Sequence, residues 1–390
     1  MKPHSLVTAI LVIFGGVPAT AQDLYSATWE DMNGRLTSLQ EENQALSDRL
    51  ASLESEISGT PSYLPTSSKH AESICARCIS PKWTAGASLY YIKPYWETNP
   101  AYALVIDNPP EGETFDTYEQ VDLDWDHLPA WDVWLKIVSD SGLGGRARYF
   151  RFDQQSKYTV VPSQSSDDRL ILPSPLGLPA TANWAHFPVR FSTGLDLQVV
   201  DLEATQVFNG DGWQWEAAGG LRWSRVEQDY LAIRETSVPT IEFPRLVRHH
   251  FDGLGPTLAL EGRRGLGHRG CMVYGKVRAA VLAGKTEEVA IDYQSSAGEL
   301  ENDGKAARWD LLPVGELELG LRHAQCYGTV GTFCEFGLVG HVWFGAGNAS
   351  NSSALSPGEY YSPSPPAQFN GSNNDNMALF GFRSAAGITY

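Results

Sequence analysis

The feature that most constrains the fold is a series of long alternating segments that begins near residue 83. In these segments apolar residues recur at every second position, which indicates β-strands with one apolar and one polar face. Most of the segments exceed the about 9–11 residues that a tilted strand needs to cross a membrane. We count ten such segments, at residues 84–96, 129–139, 142–153, 187–207, 213–233, 247–264, 269–289, 305–322, 327–345 and 378–390.

The connections between these segments alternate in length. The short ones lie near residue 140 and at 209–212, 265–268 and 323–326, and most of them contain Gly, Asn or Asp, which tight hairpin turns require. The long ones are rich in Pro, Ser, Asn and Gly. Short turns on one side and long loops on the other are typical of bacterial outer-membrane barrels, with both ends of the barrel on the periplasmic side. The sequence therefore predicts an all-β fold, a closed antiparallel transmembrane β-barrel of about ten strands over residues 83–390, whose outer face contacts outer-membrane lipid.

Charged residues occupy the middle of the polar faces. A charge that faces lipid at the bilayer midplane costs about 2–4 kcal/mol, so these side chains are expected to point inward and line the lumen. In the segment 187–207 a bulge near Val199–Val200 is expected to keep Asp196 on the same face as Asp201. The predicted lumen-lining residues are Arg146, Arg148, Asp196, Asp201, Glu203, Glu216, Arg222, Glu261, Arg263, Lys276, Arg278, Glu316, Glu318, Arg322 and Arg383.

The N-terminal sequence indicates three segments before the barrel: a signal peptide, a coiled coil and a linker. Residues 1–21 resemble a signal peptide that ends in an A-x-A cleavage site. Residues 22–58 carry a heptad repeat with Asn43 at a core position, which indicates an α-helical coiled coil that joins two or three copies of the chain in the periplasm. The alternative is a single amphipathic helix that lies on the barrel. Residues 59–82 are rich in Pro and Ser and form a linker.

Two features suggest additional chemistry. Cys75 and Cys78 form a C-x-x-C pair without a second pair to complete a zinc site, and in an exported chain we expect a local disulfide between them. No chemistry is assigned to the other three cysteines.

The stretch 107–126 carries eight acidic residues and no base. It is interpreted as a solvated surface loop, and the alternative is a divalent-cation site built from clustered carboxylates. We predict no metal site and no cofactor.

Several segments resemble the Legionella-type major outer membrane proteins, a family of pore-forming barrels. The similarity runs from about residue 84 to the end. It implies a general pore or surface structural protein, without catalytic residues. The chain ends in Tyr390 where such barrels usually end in Phe, and this aromatic residue resembles the signal that barrel-assembly machinery recognises. The segments that carry the resemblance are R-A-R-Y-F (146–150), L-D-L-Q-V-V-D-L-E (195–203), G-G-L-R-W (219–223), F-D-G-L-G-P-T-L-A-L-E (251–261) and L-F-G-F-R-S-A-A-G-I-T-Y (379–390).

Other functional classes fit the sequence less well. The net charge of −17 argues against nucleic-acid binding. Neither G-x-S-x-G nor H-E-x-x-H occurs, and the His249–His250 pair is interpreted as structural, so the chain is not expected to be an enzyme. The alternative function is a secreted, soluble β-sandwich that binds carbohydrate through surface Trp residues. Within the barrel interpretation, near-equal numbers of acids and bases predict ion pairs across the lumen and poor conduction.

Overall fold

The computed structural model describes residues 82–97, 99–106, 117–157, 159–161, 169–173, 188–235, 242–267, 270–293, 300–351 and 375–390, together with five positions between residues 41 and 49. The chain divides into two compact units, Met1–Thr66 and Ser67–Tyr390. In the first unit, the five described positions are helical and exposed, and Gln44 Nε2 donates to Asp48 Oδ1 at 3.2 Å. The predicted signal peptide, the coiled-coil core with Asn43, and the linker before Lys82 lie outside the described residues. No helix in the described part is long and apolar enough to cross a membrane.

The second unit is built from antiparallel strands. They are β1 Lys82–Trp96, β2 Pro100–Ile106, β3 Thr117–Asp122, β4 Leu128–Val138, β5 Leu143–Gln155, β6 Thr159–Val161, β7 Arg169–Pro173, β8 Val189–Gly210, β9 Trp213–Glu235, β10 Glu242–Gly265, β11 Cys271–Tyr293, β12 Leu300–Tyr327, β13 Val330–Trp343 and β14 Met377–Thr389.

Ten of these strands close into a barrel, in the order β5-β4-β1-β14-β13-β12-β11-β10-β9-β8, with β8 paired back to β5. Backbone hydrogen bonds between neighbours leave no open edge, which a membrane requires because lipid offers no partner to an unpaired peptide group. The predicted all-β closed barrel and its strand number are confirmed. The remaining strands lie in regions predicted to be loops: β2, β3 and β7 form a separate three-stranded sheet, and β6 pairs with β8.

The short turns need residues that tolerate a left-handed backbone. Between β8 and β9, Asp211 (φ 50°) and Gly212 (φ 76°) form a two-residue connection of the kind that tight hairpins favour. Between β12 and β13, the turn is centred on Gly328 (φ 65°) and Thr329. The prediction of a turn at 323–326 is therefore wrong. That stretch contains no glycine, so it stays in strand β12 until Gly328 supplies the required conformation.

The outer wall carries a broad belt of exposed apolar side chains. Soluble proteins rarely expose an apolar surface of this extent, whereas a membrane barrel presents it to lipid. The alternative of a soluble β-sandwich is therefore wrong. We refer to this surface as the apolar belt, and it includes Leu89, Trp131, Val133, Leu135, Leu202, Leu221, Leu254, Leu258, Leu260, Val277, Val281, Leu311, Leu317, Leu319, Leu321, Phe336, Leu338, Phe380, Phe382 and Ile388.

The polarity of the two faces reverses on the long-loop side of the belt. On β10, Leu258 is exposed on the outer face, but nearer the long loops Val247 is buried inside and Arg248 is exposed outside. The pairing of β10 with β9 keeps one register throughout, so the strand itself is not shifted. The reversal follows the surroundings: beyond the lipid, water covers the outer wall and the barrel interior becomes the hydrophobic core.

The same reversal explains strand β8, for which a bulge is predicted. The pairing of β8 with β9 runs from Val189 to Gly210 without a shift, so the bulge is wrong. Leu195, Leu197 and Val199 point into the barrel and are buried. Asp196 points outward, so its assignment to the lumen is also wrong. It lies 3.4 Å from Arg151 Nη2, another residue of the outer wall.

Candidate functional site: the barrel interior

Charged side chains fill the short-turn half of the barrel interior. Bases and acids occur in nearly equal numbers, and each of them lies on an inward-facing position of a barrel strand. We call this set the ion-pair layer. Its bases are Lys136, Arg146, Arg148, Arg222, Arg263, Lys276, Arg278, Arg322 and Arg383, and its acids are Asp132, Asp201, Glu203, Glu216, Glu261, Glu316, Glu318 and Glu335.

The centre of the ion-pair layer connects opposite walls. Glu316 on β12 accepts from Arg148 on β5 at 3.1 Å and contacts Arg222 on β9 at 2.7 Å. Strands β5 and β12 are five steps apart in a barrel of ten, so the pair of Glu316 and Arg148 crosses the full width of the lumen. Arg222 also binds Asp201 through two hydrogen bonds of 2.7 and 3.0 Å. A direct contact between opposite walls obstructs the lumen at this level.

A second group of ion pairs lies closer to the short turns. Glu335 accepts from Arg322 at 2.7 Å and from Arg383 at 2.8 Å. Arg383 also pairs with Glu318, which accepts a hydrogen bond of 2.6 Å from the hydroxyl of Tyr274. These contacts join strands β11, β12, β13 and β14 across their inner faces. Removal of one member would leave a buried charge without its partner, which is costly.

The structure places the predicted lumen residues, with the exception of Asp196, in this layer. Sequence reasoning missed Asp132 and Lys136 and did not include Glu335 among the lumen residues. The signal for the first two was present, because Trp131, Val133 and Leu135 alternate with them along β4 and lie on the outer wall. The residues that the structure places in the ion-pair layer as predicted are Arg146, Arg148, Asp201, Glu203, Glu216, Arg222, Glu261, Arg263, Lys276, Arg278, Glu316, Glu318, Arg322 and Arg383.

Apolar side chains fill the interior on the long-loop side of the ion-pair layer. In the barrel strands they follow the charges in the direction of the long loops, as Phe150 and Phe152 follow Arg148 on β5. A dry apolar constriction excludes water and ions, so it forms a second barrier above the first. We call it the apolar layer, and its members are Tyr90, Ile92, Trp125, Ala130, Phe150, Phe152, Leu195, Leu197, Val199, Val226, Phe251, Ala280, Leu282, Leu312, Val314, Val339, Trp343, Ala346, Met377 and Leu379.

The chain immediately after β13 folds into the barrel above the apolar layer. Residues 346–350 are all buried, and a 3-10 turn begins within them, at Ala349–Asn351. Gln228 on β9 holds this segment: its Nε2 donates to the Gly347 carbonyl at 3.0 Å, and its Oε1 accepts from the Ala349 amide at 3.2 Å. Gly347 (φ 75°) lies against His249, whose ring would be only 2.5 Å from a Cβ at this position, and its left-handed backbone also favours glycine. We call residues 346–350 the inward segment.

A cavity of about 560 Å³ lies on the other side of the ion-pair layer. Its mouth is formed by residues of the short turns and strand ends, among them Ser141, Asn209 and Gln325, and its inner wall is the ion-pair layer itself. The cavity therefore ends at the first barrier. We call it the short-turn cavity.

The other candidate residues lie outside this interior site or beside it. His249 is buried, with Nδ1 3.0 Å from Glu288 Oε1, whereas the neighbouring His250 lies only partly buried on the outer wall. In the acidic stretch 107–126, Asp126 and Asp124 pair with Lys157 at 2.7 and 3.6 Å and raise its pKa. No cluster of ligands suited to a metal occurs among the described residues, and residues 107–116 lie outside them.

The cysteines differ from one another. Cys75 and Cys78, predicted to form a disulfide, lie outside the described residues. Cys271 and Cys334 are exposed free thiols. Cys326, to which the sequence analysis assigns no chemistry, is disulfide-bonded, and its partner lies outside the described residues. The assignment of no chemistry to Cys326 is therefore corrected, because a covalent bond holds the end of β12.

Comparison with known proteins identifies one family. The family of the Legionella pneumophila major outer membrane protein precursor matches residues 76–384, which is most of the chain. No curated protein matches.

Several solved structures are similar at low identity. The outer membrane protease OmpT from Escherichia coli is 11% identical, with a TM-score of 0.39, over 80% of this chain and 97% of that one. The monoaromatic hydrocarbon channel TodX, as a deletion mutant, is 10% identical over 79% and 89%, with a TM-score of 0.27. A FadL homologue from Pseudomonas aeruginosa is 5% identical over 80% and 90%, with a TM-score of 0.24. At these TM-scores none of them bears on function.

Proposed function

Since this chain belongs to the Legionella pneumophila major outer membrane protein family, and is thus an outer-membrane β-barrel protein, we propose that it acts as a closed barrel. In this proposal the porin-like fold serves as a structural element of the outer membrane and conducts little or nothing in the closed state. The short turns and the N-terminal unit face the periplasm, and the long loops face the exterior.

The observation that carries this proposal is the contact between Arg148 and Glu316, which spans the lumen from opposite walls. An ion path would require these groups and their neighbours to separate and remain unpaired in a confined space. A buried charge that loses its partner costs several kcal/mol, and the ion-pair layer contains many buried charges. The apolar layer adds a barrier of a different kind, because water leaves a narrow apolar constriction.

Planar-bilayer recording of the purified protein tests the proposal. The protein is first shown to be folded by its heat-modifiable mobility in detergent gels. We expect small or absent conductance steps from the folded protein. Large, stable and weakly selective steps would contradict a closed barrel. A porin of known conductance, reconstituted in the same lipid, serves as the positive control for insertion.

A gated pore is the second candidate, and the inward segment favours it. The hydrogen bonds of Gln228 to Gly347 and Ala349 hold this segment at the long-loop end of the interior. If the segment is a gate, substitution of Gln228 by Ala should make brief openings more frequent in the same recordings. Unchanged recordings for this variant would favour a permanently closed barrel.

We further propose that the chain has no catalytic activity and that its N-terminal and C-terminal parts each bind a partner. The exposed aromatic side chain of Tyr390 would contact the barrel-assembly machinery, while its backbone pairs with Trp83 through two hydrogen bonds of 2.8 Å. The heptads in residues 22–58 would assemble two or three copies in the periplasm. Deletion of residues 22–60 should then reduce the native mass in mild detergent to that of a monomer. An unchanged mass would show that another surface joins the copies.

A further inference from the structure

We propose that the short-turn cavity is a binding site for a small organic anion that carries a carboxylate or phosphate together with hydroxyl groups. The cavity, of about 560 Å³, has the size of known small-molecule sites. It ends at the ion-pair layer, so a bound molecule would be held there and not passed through. The proposal does not depend on whether the barrel conducts ions, because the cavity is reached from the short-turn side alone.

Four of the acids that line the cavity already have close basic partners. Glu261 accepts from Arg263 at 2.6 Å, and Glu335 accepts from Arg322 and Arg383 at 2.7 and 2.8 Å. Glu318 and Glu216 are likewise hydrogen-bonded, to Tyr274 at 2.6 Å and to Arg146 at 3.2 Å. These carboxylates therefore have little capacity left for a cationic ligand.

Two of the bases in the same wall are less well satisfied. The ammonium group of Lys276 lies 3.8 Å from Glu318, which is beyond hydrogen-bond distance. The Nε of Arg322 is buried and has no hydrogen-bond partner among the described residues. Both residues line the short-turn cavity. Lys276 and Arg322 are the two ends of one chain of ion pairs. This chain runs from Arg322 through Glu335, Arg383 and Glu318 to Lys276. Against these two donors stands one buried acceptor of the lining without a hydrogen-bond partner among the described residues, Asp132 Oδ1. The balance of donors over acceptors favours an anion, because a buried donor is stabilised when an acceptor reaches it.

The rest of the lining indicates what the remainder of the ligand is like. Phe333 stacks on Trp134 at 5.8 Å between ring centroids, and Arg322 lies 3.9 Å above the Phe333 ring. These groups offer a flat wall beside the charges. The mouth supplies hydroxyl and amide groups, which hydrogen-bond to hydroxyls of a ligand. The polar residues of the mouth whose side chains do not belong to the outer wall are Thr84, Ser139, Ser141, Asn209, Gln214 and Thr389.

Calorimetric titration of the full chain in detergent, at low salt, tests the proposal with five probes. Four of the probes share nearly the same sugar ring and differ in charge. Glucuronate carries a carboxylate and glucose 6-phosphate carries a phosphate, whereas glucose is uncharged and glucosamine is positively charged. Inorganic phosphate tests the charge without the hydroxyl groups. We expect saturable binding of glucuronate, glucose 6-phosphate or both, and none of glucose or glucosamine. Binding of inorganic phosphate as tight as that of the sugar anions would overturn the requirement for hydroxyl groups.

Variants locate the binding. Lys276→Gln and Arg322→Gln should each weaken it at least tenfold, whereas Lys285→Gln and Arg225→Gln, on the outer wall, should leave it unchanged. Gln214→Trp keeps every charge and narrows the mouth, so it should also abolish binding. It tests the proposal independently if the charge variants do not fold. The proposal is overturned if neither sugar anion binds the wild-type protein, if glucosamine binds more tightly than glucuronate, or if the folded variants all bind as the wild type does.

Discussion

Arg222 shows how much a single charged residue contributes to this barrel. Its side chain is completely buried and contacts Asp201 and Glu316, both at 2.7 Å. Arg222→Ala would leave two buried carboxylates with one base fewer, and we expect a loss of about 3–5 kcal/mol of unfolding free energy. Arg225→Ala, three residues along the same strand on the outer wall, removes an exposed pair with Asp252 and should cost less than about 1 kcal/mol. Urea unfolding in lipid vesicles measures both, and equal losses would contradict the difference in burial.

At the same scale, sequence reasoning located most of the charged site residues and misplaced one. Arg146, Asp201 and Glu318 could be found because a charge amid apolar neighbours has only the interior to face. Asp196 could not be separated from Asp201 in this way, since it lies beyond the apolar belt, where water makes the outer wall suitable for charge. The partners of each base were also inaccessible from the sequence, because Arg148 and Glu316 meet only when the barrel closes.

Strands β8, β9 and β10 continue beyond the membrane without a change of register, and thiol labelling can detect this. In a background of Cys271→Ser and Cys334→Ser, which removes the exposed thiols, we expect Arg248→Cys to react with a charged maleimide present on both sides of a lipid bilayer. Leu258→Cys, on the same strand in the apolar belt, should be protected by lipid. Val247→Cys, the matched buried control, should not react before unfolding. Equal reaction of the first two would contradict the position of the belt.

Cys326, at the end of β12, is disulfide-bonded, and its partner lies outside the described residues. The sequence has five cysteines, of which Cys271 and Cys334 are free, so we expect the intramolecular partner to be Cys75 or Cys78. This bond competes with the predicted Cys75–Cys78 disulfide for the same two thiols. We expect peptide mapping without reductant to link the Cys326 peptide to the one that contains both candidates. Recovery of a free Cys326 peptide would contradict the bond.

Strand positions could be predicted from the sequence within a few residues, because alternation, length and turn residues all act locally. The polarity reversal could not be deduced by a rule that assigns every apolar face to lipid. On β9 that rule holds for Leu221, which is exposed in the belt, and fails for Val226, which is buried in the interior. The small sheet of β2, β3 and β7 was also missed, because its strands are short and pair across long loops.

For the molecule as a whole, the closed barrel that we propose has two barriers in series. The ion-pair layer would close the short-turn half and the apolar layer the other half. A breach of either one alone leaves the second intact. Ion pairs across the lumen were predicted from the balance of charges. The apolar layer was not predicted, because its residues were assigned to the lipid-facing side.

We therefore expect no large conductance from Arg148→Ala combined with Glu316→Ala, which removes the contact that spans the lumen. Phe251 and Trp343 of the apolar layer still block the passage in that variant. Replacement of these two aromatic residues by Gly should likewise have little effect alone, because the ion pairs remain. The four substitutions together should produce discrete conductance steps, since the contact across the lumen and two large aromatic side chains of the apolar layer are then all absent. Planar-bilayer recordings of the three variants, each with its heat-modifiable mobility retained, measure this. Large steps from the charge variant alone would show that the apolar layer is not a barrier.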